Sequence, residues 1–223
     1  MVQIENLIQA QPWDCLIPHL LRAGANPDET IPRLKRYAAL LLGWNRSVSN
    51  LISKNDEARI VQRHILESLE PARLLRECEA QRWLDFGSGA GLPAIPLALA
   101  GIGQHWTLVE ARRPKTLFMR KALQELKLNR NDVVNARLET WLDEVADGCR
   151  VDAFTSRATI ALGPTLVLAA RIVDRGGVAF LWKGSQREEE MKQDSRWKGL
   201  WDFDGLLGIG EGNTAVLKFT KII

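Results

Sequence analysis

Three glycines at alternate positions, Gly87, Gly89 and Gly91, interrupt the apolar stretch WLDFGSGAGLPAIPLALA (83–100). They are the residues best suited to holding a ligand against the main chain. Glycine permits a tight turn and leaves no Cβ between backbone and ligand. The run before the turn reads as a strand and the run after it as a helix, whose first free N–H groups add donors. Asp85 stands two residues before the first glycine. Glu110 ends the next apolar run, about twenty residues on, where an acid can hydrogen-bond both hydroxyls of a ribose.

Two cofactor classes use this layout. A dinucleotide site has the form G-x-G-x-x-G/A. Counted from Gly87 the third position is Leu92, which fails; counted from Gly89 it is Ala94, which passes. NAD stays open on the motif alone. S-adenosylmethionine is the other class. Its methionine and nucleoside need room but no pyrophosphate cradle, and Asp85 suits its cationic methionine end. A hydride-transfer reading lacks a Tyr-x-x-x-Lys pair, since Tyr37 is the only tyrosine and Leu41 stands four residues after it. A bare strand–helix turn accounts poorly for three glycines and Glu110 together.

The methyl acceptor should meet the end of the fourth strand, at the carboxyl edge of the sheet. That segment reads FTSRATIALGP (154–164). It carries neither the Asn/Asp-Pro-Pro-aromatic run of enzymes that methylate exocyclic amines nor a Pro-Cys nucleophile. Arg157 occupies the spot, and no evident general base accompanies it. A ring nitrogen with a free lone pair needs none.

These residues must be positioned by a sheet. Short apolar runs at 82–86, 106–110, 132–135, 151–156 and 178–182 alternate with helical segments at 93–100, 114–126, 139–145 and 162–173. The pattern predicts an α/β fold of the Rossmann-like, class I methyltransferase type. Strand-like segments at 200–207 and 215–219, joined by the Gly-rich turn GIGEGN, would complete a mostly parallel seven-stranded sheet with an antiparallel C-terminal strand. REEEMK (187–192) reads as a solvated helix. Residues 1–81 show no strand-like alternation and read as a helical N-terminal extension. One helix there is centred on Leu34–Trp44, with Pro32 in its first turn, and a second spans 56–69. Residues 82–223 would form the methyltransferase domain, packed with the extension as one unit.

Composition narrows the setting. The chain has 223 residues, a net charge of +3 and three cysteines, Cys15, Cys78 and Cys149, without a CxxC pair. Neither a disulfide framework nor a metal site is expected, and a reducing cytoplasmic setting fits. No signal peptide or membrane-spanning run is visible. Arg112, Arg113, Lys115, Arg120, Lys121, Lys127 and Arg130 crowd one region, as a phosphate-binding face or as a solvated helix surface. The tryptophans at 83, 106 and 182 read as packing, as does Trp44, while Trp141 is near enough to Glu139 to line a cofactor pocket.

The chain as a whole resembles the bacterial small-subunit rRNA methyltransferase G family, also called glucose-inhibited division protein B. The likeness runs from about Leu34 to Lys183 through LLLGWNRSVSNLIS, RHILESL, the glycine turn, ARRPKTLFMRKALQELKL, NARLETW, TSRA and LWKG. It implies a methyltransferase using S-adenosylmethionine on guanine N7 in the 530-loop region of 16S rRNA, on naked RNA or the 30S subunit, with no metal, no membrane and a monomer favoured. By position it implies that Gly87 and Leu92 touch the cofactor and that Leu138 and Glu139 border its adenine. Arg157 would sit beside the transferred methyl, holding guanine O6, a phosphate or the cofactor carboxylate. Arg137 and Lys183 would bind or orient the guanine, and His64 falls among RNA contacts with Arg112, Arg113, Lys115, Arg120 and Lys121. The chain departs from the family at Glu67, where Asp is usual, at NLIS (50–53), and in a longer spacing between Glu139 and Arg157. A methyltransferase acting on a small molecule or protein, or a non-catalytic cofactor-binding module, are the other readings.

Overall fold

The computed structural model describes residues 2–145, 148–210 and 212–223. Glu211 of the GIGEGN turn, and Ala146 and Asp147 in the lengthened stretch after Glu139, lie outside them. The chain opens with helices α1 (Val2–Gln9), α2 (Ile17–Arg22), α3 (Pro27–Ser47) and α4 (Lys54–Glu57), a π-helical turn (Val61–Leu66), and the short α5 (Glu67–Leu69) and α6 (Ala72–Arg76). Strand and helix then alternate: β1 (Arg82–Phe86), α7 (Ala94–Leu99), β2 (His105–Val109), α8 (Arg113–Glu125), β3 (Asp132–Val134), α9 (Leu138–Val145), β4 (Val151–Arg157), α10 (Leu162–Ala170) and β5 (Val173–Lys183). Helix α11 (Arg187–Gln193) and the strands β6 (Trp201–Ile209) and β7 (Thr214–Lys221) complete the chain.

Among the described residues the sheet has seven strands in the order β3-β2-β1-β4-β5-β7-β6. The first five are parallel, and β7 runs antiparallel between β5 and β6. The order reverses beside β1, and this opens a ligand crevice at the carboxyl ends of β1 and β4. Strand β5 starts five residues before the expected 178, because Gly177 lets the chain pass close to β4. A Cβ there would lie 2.6 Å from the Asp152 carbonyl oxygen.

Two expectations for the N-terminal helices are corrected. Helix α3 begins at Pro27, not near Pro32, with the Asn26 side chain accepting from the Asp28 N–H at 3.0 Å as its cap. Pro32 lies inside the helix. The carbonyl it leaves unpaired, that of exposed Asp28, is open to water. The single helix expected over 56–69 is broken. The Gln11 amide donates to the Ala58 carbonyl at 3.0 Å and accepts from the Val61 N–H at 3.4 Å, so it interrupts the helical ladder. The wider π turn follows, keeping Ile60, Val61, Ile65 and Leu69 in the core.

One face of the sheet packs on α7, α8 and the N-terminal helices, and Leu34, Tyr37, Leu41, Ile65, Trp83 and Phe180 belong to one continuous core. Trp83 stacks on Trp106 at 4.9 Å between ring centroids, as packing. Trp44 is only half-buried, against Phe118. The other face is covered by α9, α10 and the Trp197 region. No described helix is long and apolar enough to cross a membrane.

Candidate active site

All three turn glycines have positive φ, +67° at Gly87, +57° at Gly89 and +82° at Gly91. Side chains adopt this region at a cost, so the turn needs glycine. The Gly87 and Ser88 N–H groups both donate to the Val109 carbonyl of β2, at 2.9 and 3.2 Å. From the other side the single tyrosine, Tyr37 of α3, donates its hydroxyl to the Ala90 carbonyl at 2.7 Å. Leu92, half-buried, leads the turn into α7.

Glu110 closes the turn against β2. One carboxylate oxygen accepts from the Gly89 N–H at 3.0 Å and the other from the Arg112 N–H at 2.8 Å. Each oxygen keeps a lone pair for a further donor, as two ribose hydroxyls require. Asp85 is fully buried. Its Oδ1 accepts from the Thr155 hydroxyl at 2.6 Å, while its Oδ2 is buried with no partner. Burial raises its pKa to about 7, against the Thr155 hydrogen bond that lowers it. A buried carboxyl whose second oxygen lacks a partner has the chemistry to take a cationic group, such as the methionine ammonium of the expected cofactor.

Along the same edge, the end of β4 forms one wall of a pocket of about 490 Å³, lined by Arg63, Glu67, Arg157, Thr159, Trp182 and Lys183 among others. Thr159 also touches the glycine turn: a Cβ on Gly87 would lie 2.2 Å from its methyl. The cofactor turn and this pocket therefore adjoin.

The structure gathers Asp85, Gly87, Gly89, Gly91, Leu92, Glu110 and Arg157 on this edge, with Lys183 beside them. Both cations have partners within the chain. Arg157 Nη2 donates to Glu67 Oε2 at 2.5 Å and to the Arg63 carbonyl at 2.8 Å. Lys183 Nζ donates to Glu190 Oε2 and to the Ile160 carbonyl, each at 2.7 Å. Glu190 also accepts from the Leu162 N–H at 2.7 Å. Helix α11 is thus fastened to the site rather than simply solvated.

His64, expected among the RNA contacts, is only partly open to solvent. Its ring is mostly buried, 3.6 Å from the Asp56 carboxylate. Burial and the nearby Arg157 lower its pKa to about 4, so it brings no positive charge to a phosphate at neutral pH. Leu138 is fully buried in the core beneath α9. Glu139 and Arg137 are exposed at the start of α9, and Trp141 packs partly buried against the α9 core. Arg112 and Arg113 are exposed at the start of α8, beside half-buried Lys115. Arg120 donates to the Val133 carbonyl at 3.2 Å, and Lys121 pairs with Glu125, which Arg36 also reaches.

Sequence does not single out Thr155, Thr159 or Glu190, whereas Glu67, a departure from the family, is with His64 and Ser68 a candidate near the active site through RHILESL. Thr155 was within reach: β1 and β4 are neighbours in this fold, and their register sets Asp85 opposite Thr155. The pairs Arg157–Glu67 and Lys183–Glu190 carry no local signature.

A doubly wound sheet with one reversed strand, and a glycine turn between β1 and its helix, makes this chain a class I S-adenosylmethionine-dependent methyltransferase. Within that class it belongs to the rRNA small subunit methyltransferase G family (GidB), whose model matches residues 30–200. The ribosomal RNA small subunit methyltransferase G of Stenotrophomonas maltophilia (strain K279a) is 37% identical over 162 residues, 73% of this chain and 73% of its own. That of Granulibacter bethesdensis is 36% identical over 179 residues, 80% of each chain. Among solved structures, cofactor-bound Rv0187 from MTB superposes with a TM-score of 0.60 at 16% identity, over 85% of this chain and 89% of that one. The precorrin-6y C5,15-methyltransferase of Geobacter metallireducens does so with a TM-score of 0.52 at 14% identity, over 68% and 87%. At such identities the likeness is one of fold.

Proposed function

We propose that this chain transfers the methyl group of S-adenosylmethionine to N7 of a guanine in the 530-loop region of 16S rRNA. The observation that carries the reading is the end of β4. There an arginine, Arg157, borders the pocket beside the Ser156 and Thr159 hydroxyls, which are bonded to each other at 2.6 Å, and the nearby Glu67 carboxylate is taken up by Arg157 and Arg63. Guanine N7 has a lone pair and no proton at neutral pH, so its attack on an electrophilic methyl needs no general base. Catalysis then rests on alignment, worth at best roughly 7–11 kcal/mol. Family membership and the relatives, named as ribosomal RNA methyltransferases, support rRNA as the substrate.

S-adenosylmethionine, when bound, supplies a methyl group on a sulfonium. The chain's residues do the rest. Asp85 holds the methionine ammonium, and the backbone of Gly87, Gly89, Gly91 and Leu92 lies along the ligand. Glu110 accepts from the ribose hydroxyls, and the start of α9 at Leu138 and Glu139 borders the adenine. The guanine leaves its loop stack so that N7 can face the methyl. A guanidinium can donate to guanine O6 or N7. N7 must stay free to react, so Arg157 is assigned to O6 or a neighbouring phosphate. Arg137 and Lys183 orient the nucleotide, Lys183 by exchanging one of its present partners. Arg112, Arg113 and Lys115 form the phosphate-facing surface, with Arg120 and Lys121 at its edge, already engaged by the Val133 carbonyl and Glu125. The helical segment, residues 1–81, and the domain, 82–223, act as one unit, a monomer in the cytoplasm that needs no metal.

The test is direct. Purified protein and tritiated cofactor are incubated with 16S rRNA or 30S subunits lacking the modification, and the label is mapped by mass. Label at N7 of one guanine is expected. Label on an exocyclic amine, or only on protein, would overturn the reading.

A further inference from the structure

We propose that Glu67, from the N-terminal helical segment, is a positioning residue for methyl transfer: its buried carboxylate sets the orientation in which Arg157 meets the acceptor. The proposal rests on the reading of Arg157 above and extends it to a residue on another part of the chain. The Glu67 side chain is 2% exposed and lies between two guanidiniums. Its Oε2 accepts from Arg157 Nη2 at 2.5 Å, and its Oε1 pairs with Arg63 Nη1 at 2.8 Å.

The donors of Arg157 can be counted. A guanidinium has five N–H groups in a fixed plane. Nη2 spends both of its hydrogens on Glu67 and on the Arg63 carbonyl. Nη1 makes one longer contact, 3.4 Å, to the His64 carbonyl. Nε–H and the second Nη1–H remain for a substrate oxygen, on a group that lines the pocket. The guanidinium is thus anchored chiefly through Nη2, with two of its five donors unused.

The holder is itself held. The Arg63 and His64 carbonyls of the π turn both accept from Arg157, that of His64 while also accepting from the Ser68 hydroxyl at 2.6 Å. Trp182 of β5 donates its indole N–H to the Glu67 carbonyl at 2.9 Å. The Gly210 N–H, beyond β6, donates to Glu70 at 2.7 Å. A displacement of about 1 Å at a reacting group can cost roughly 10²-fold in rate. Removing the carboxylate should therefore act on the chemical step more than on cofactor binding.

The experiment compares wild type, Glu67→Gln, Glu67→Asp, Arg157→Ala and Glu67→Gln with Arg157→Ala. It measures single-turnover methylation, KM for the RNA, affinity for S-adenosylhomocysteine by calorimetry, and Tm. Glu67→Gln should bind S-adenosylhomocysteine within about twofold of wild type while its rate falls by about 10²-fold. Glu67→Asp, which keeps the charge, should recover part of that loss. In the Arg157→Ala background, Glu67→Gln should cost nothing further, because coupled residues are not additive. A wild-type rate in Glu67→Gln, or two losses that multiply in the double variant, would overturn the proposal. If the Gln variant does not fold, Glu67→Asp decides: a slowed rate with KM and Tm held supports positioning, and an unchanged rate refutes it. A failure of the underlying reading looks different. Wild type would then label another acceptor, on which the same comparison is made, or Arg157→Ala would keep full activity, which sinks both.

Discussion

Asp85 carries the sharpest chemical consequence in the cofactor turn. Its Oδ2 is buried without a partner, and burial holds its pKa at about 7. A cationic ligand binds the ionised form, and that form dominates only above this value. Affinity for S-adenosylhomocysteine should therefore rise with pH through neutrality and level off by about pH 8; at pH 6 it should be about tenfold weaker, with proton release on binding. Calorimetry in buffers of different ionisation enthalpy measures both, and a flat profile from pH 6 to 8 would remove Asp85 from the binding account. Stability runs the other way. The folded-state pKa exceeds the unfolded value of 3.8, so from about pH 4 to 7 the folded protein keeps a proton that the unfolded chain releases. Stability falls across that window as pH rises. Asp85→Asn should raise the Tm of the free protein at pH 8, by about 2–4 °C per kcal/mol recovered, while weakening S-adenosylhomocysteine binding. A lower Tm with unchanged binding would contradict both expectations.

Helix α8 shows how an element's charge differs from its composition. Five cations stand at or along it, but the Lys121 charge is shared with Glu125, and Arg120 is drawn to the Val133 carbonyl. Arg112, Arg113 and Lys115 remain at its start, next to the glycine turn. Three phosphate contacts imply a slope of about −2 in log K against log salt for single-stranded RNA. Filter binding of a 16S fragment should show it, and Arg112→Gln with Arg113→Gln should reduce the slope by about 1.4. Lys121→Gln should leave it nearly unchanged. An unaltered slope in the double variant would move the RNA track elsewhere. Elements differ likewise in how far sequence reveals them. The β1 boundaries 82–86 and the three turn glycines were legible because strand, turn and helix follow each other within one short stretch. The break in the 56–69 helix was not, since it comes from Gln11, which lies 47 residues before Ala58. The partner of Arg157 was hidden for the same reason, being 90 residues away.

At the scale of the molecule, the N-terminal helices and the sheet share one apolar core, from Leu34 and Leu41 to Trp83 and Phe180. They should unfold together. Far-ultraviolet circular dichroism and tryptophan fluorescence should give coincident urea transitions. Early loss of helix with fluorescence preserved would show the extension to be a separate unit. The contacts that fix Glu67 and Glu70 also have an order in time. They come from Trp182 and Gly210, 115 and 140 residues further along the chain. During translation the helical segment leaves the ribosome long before these partners exist. The full set of contacts around Glu67 and Glu70 can therefore form only after β5 and Gly210 have emerged.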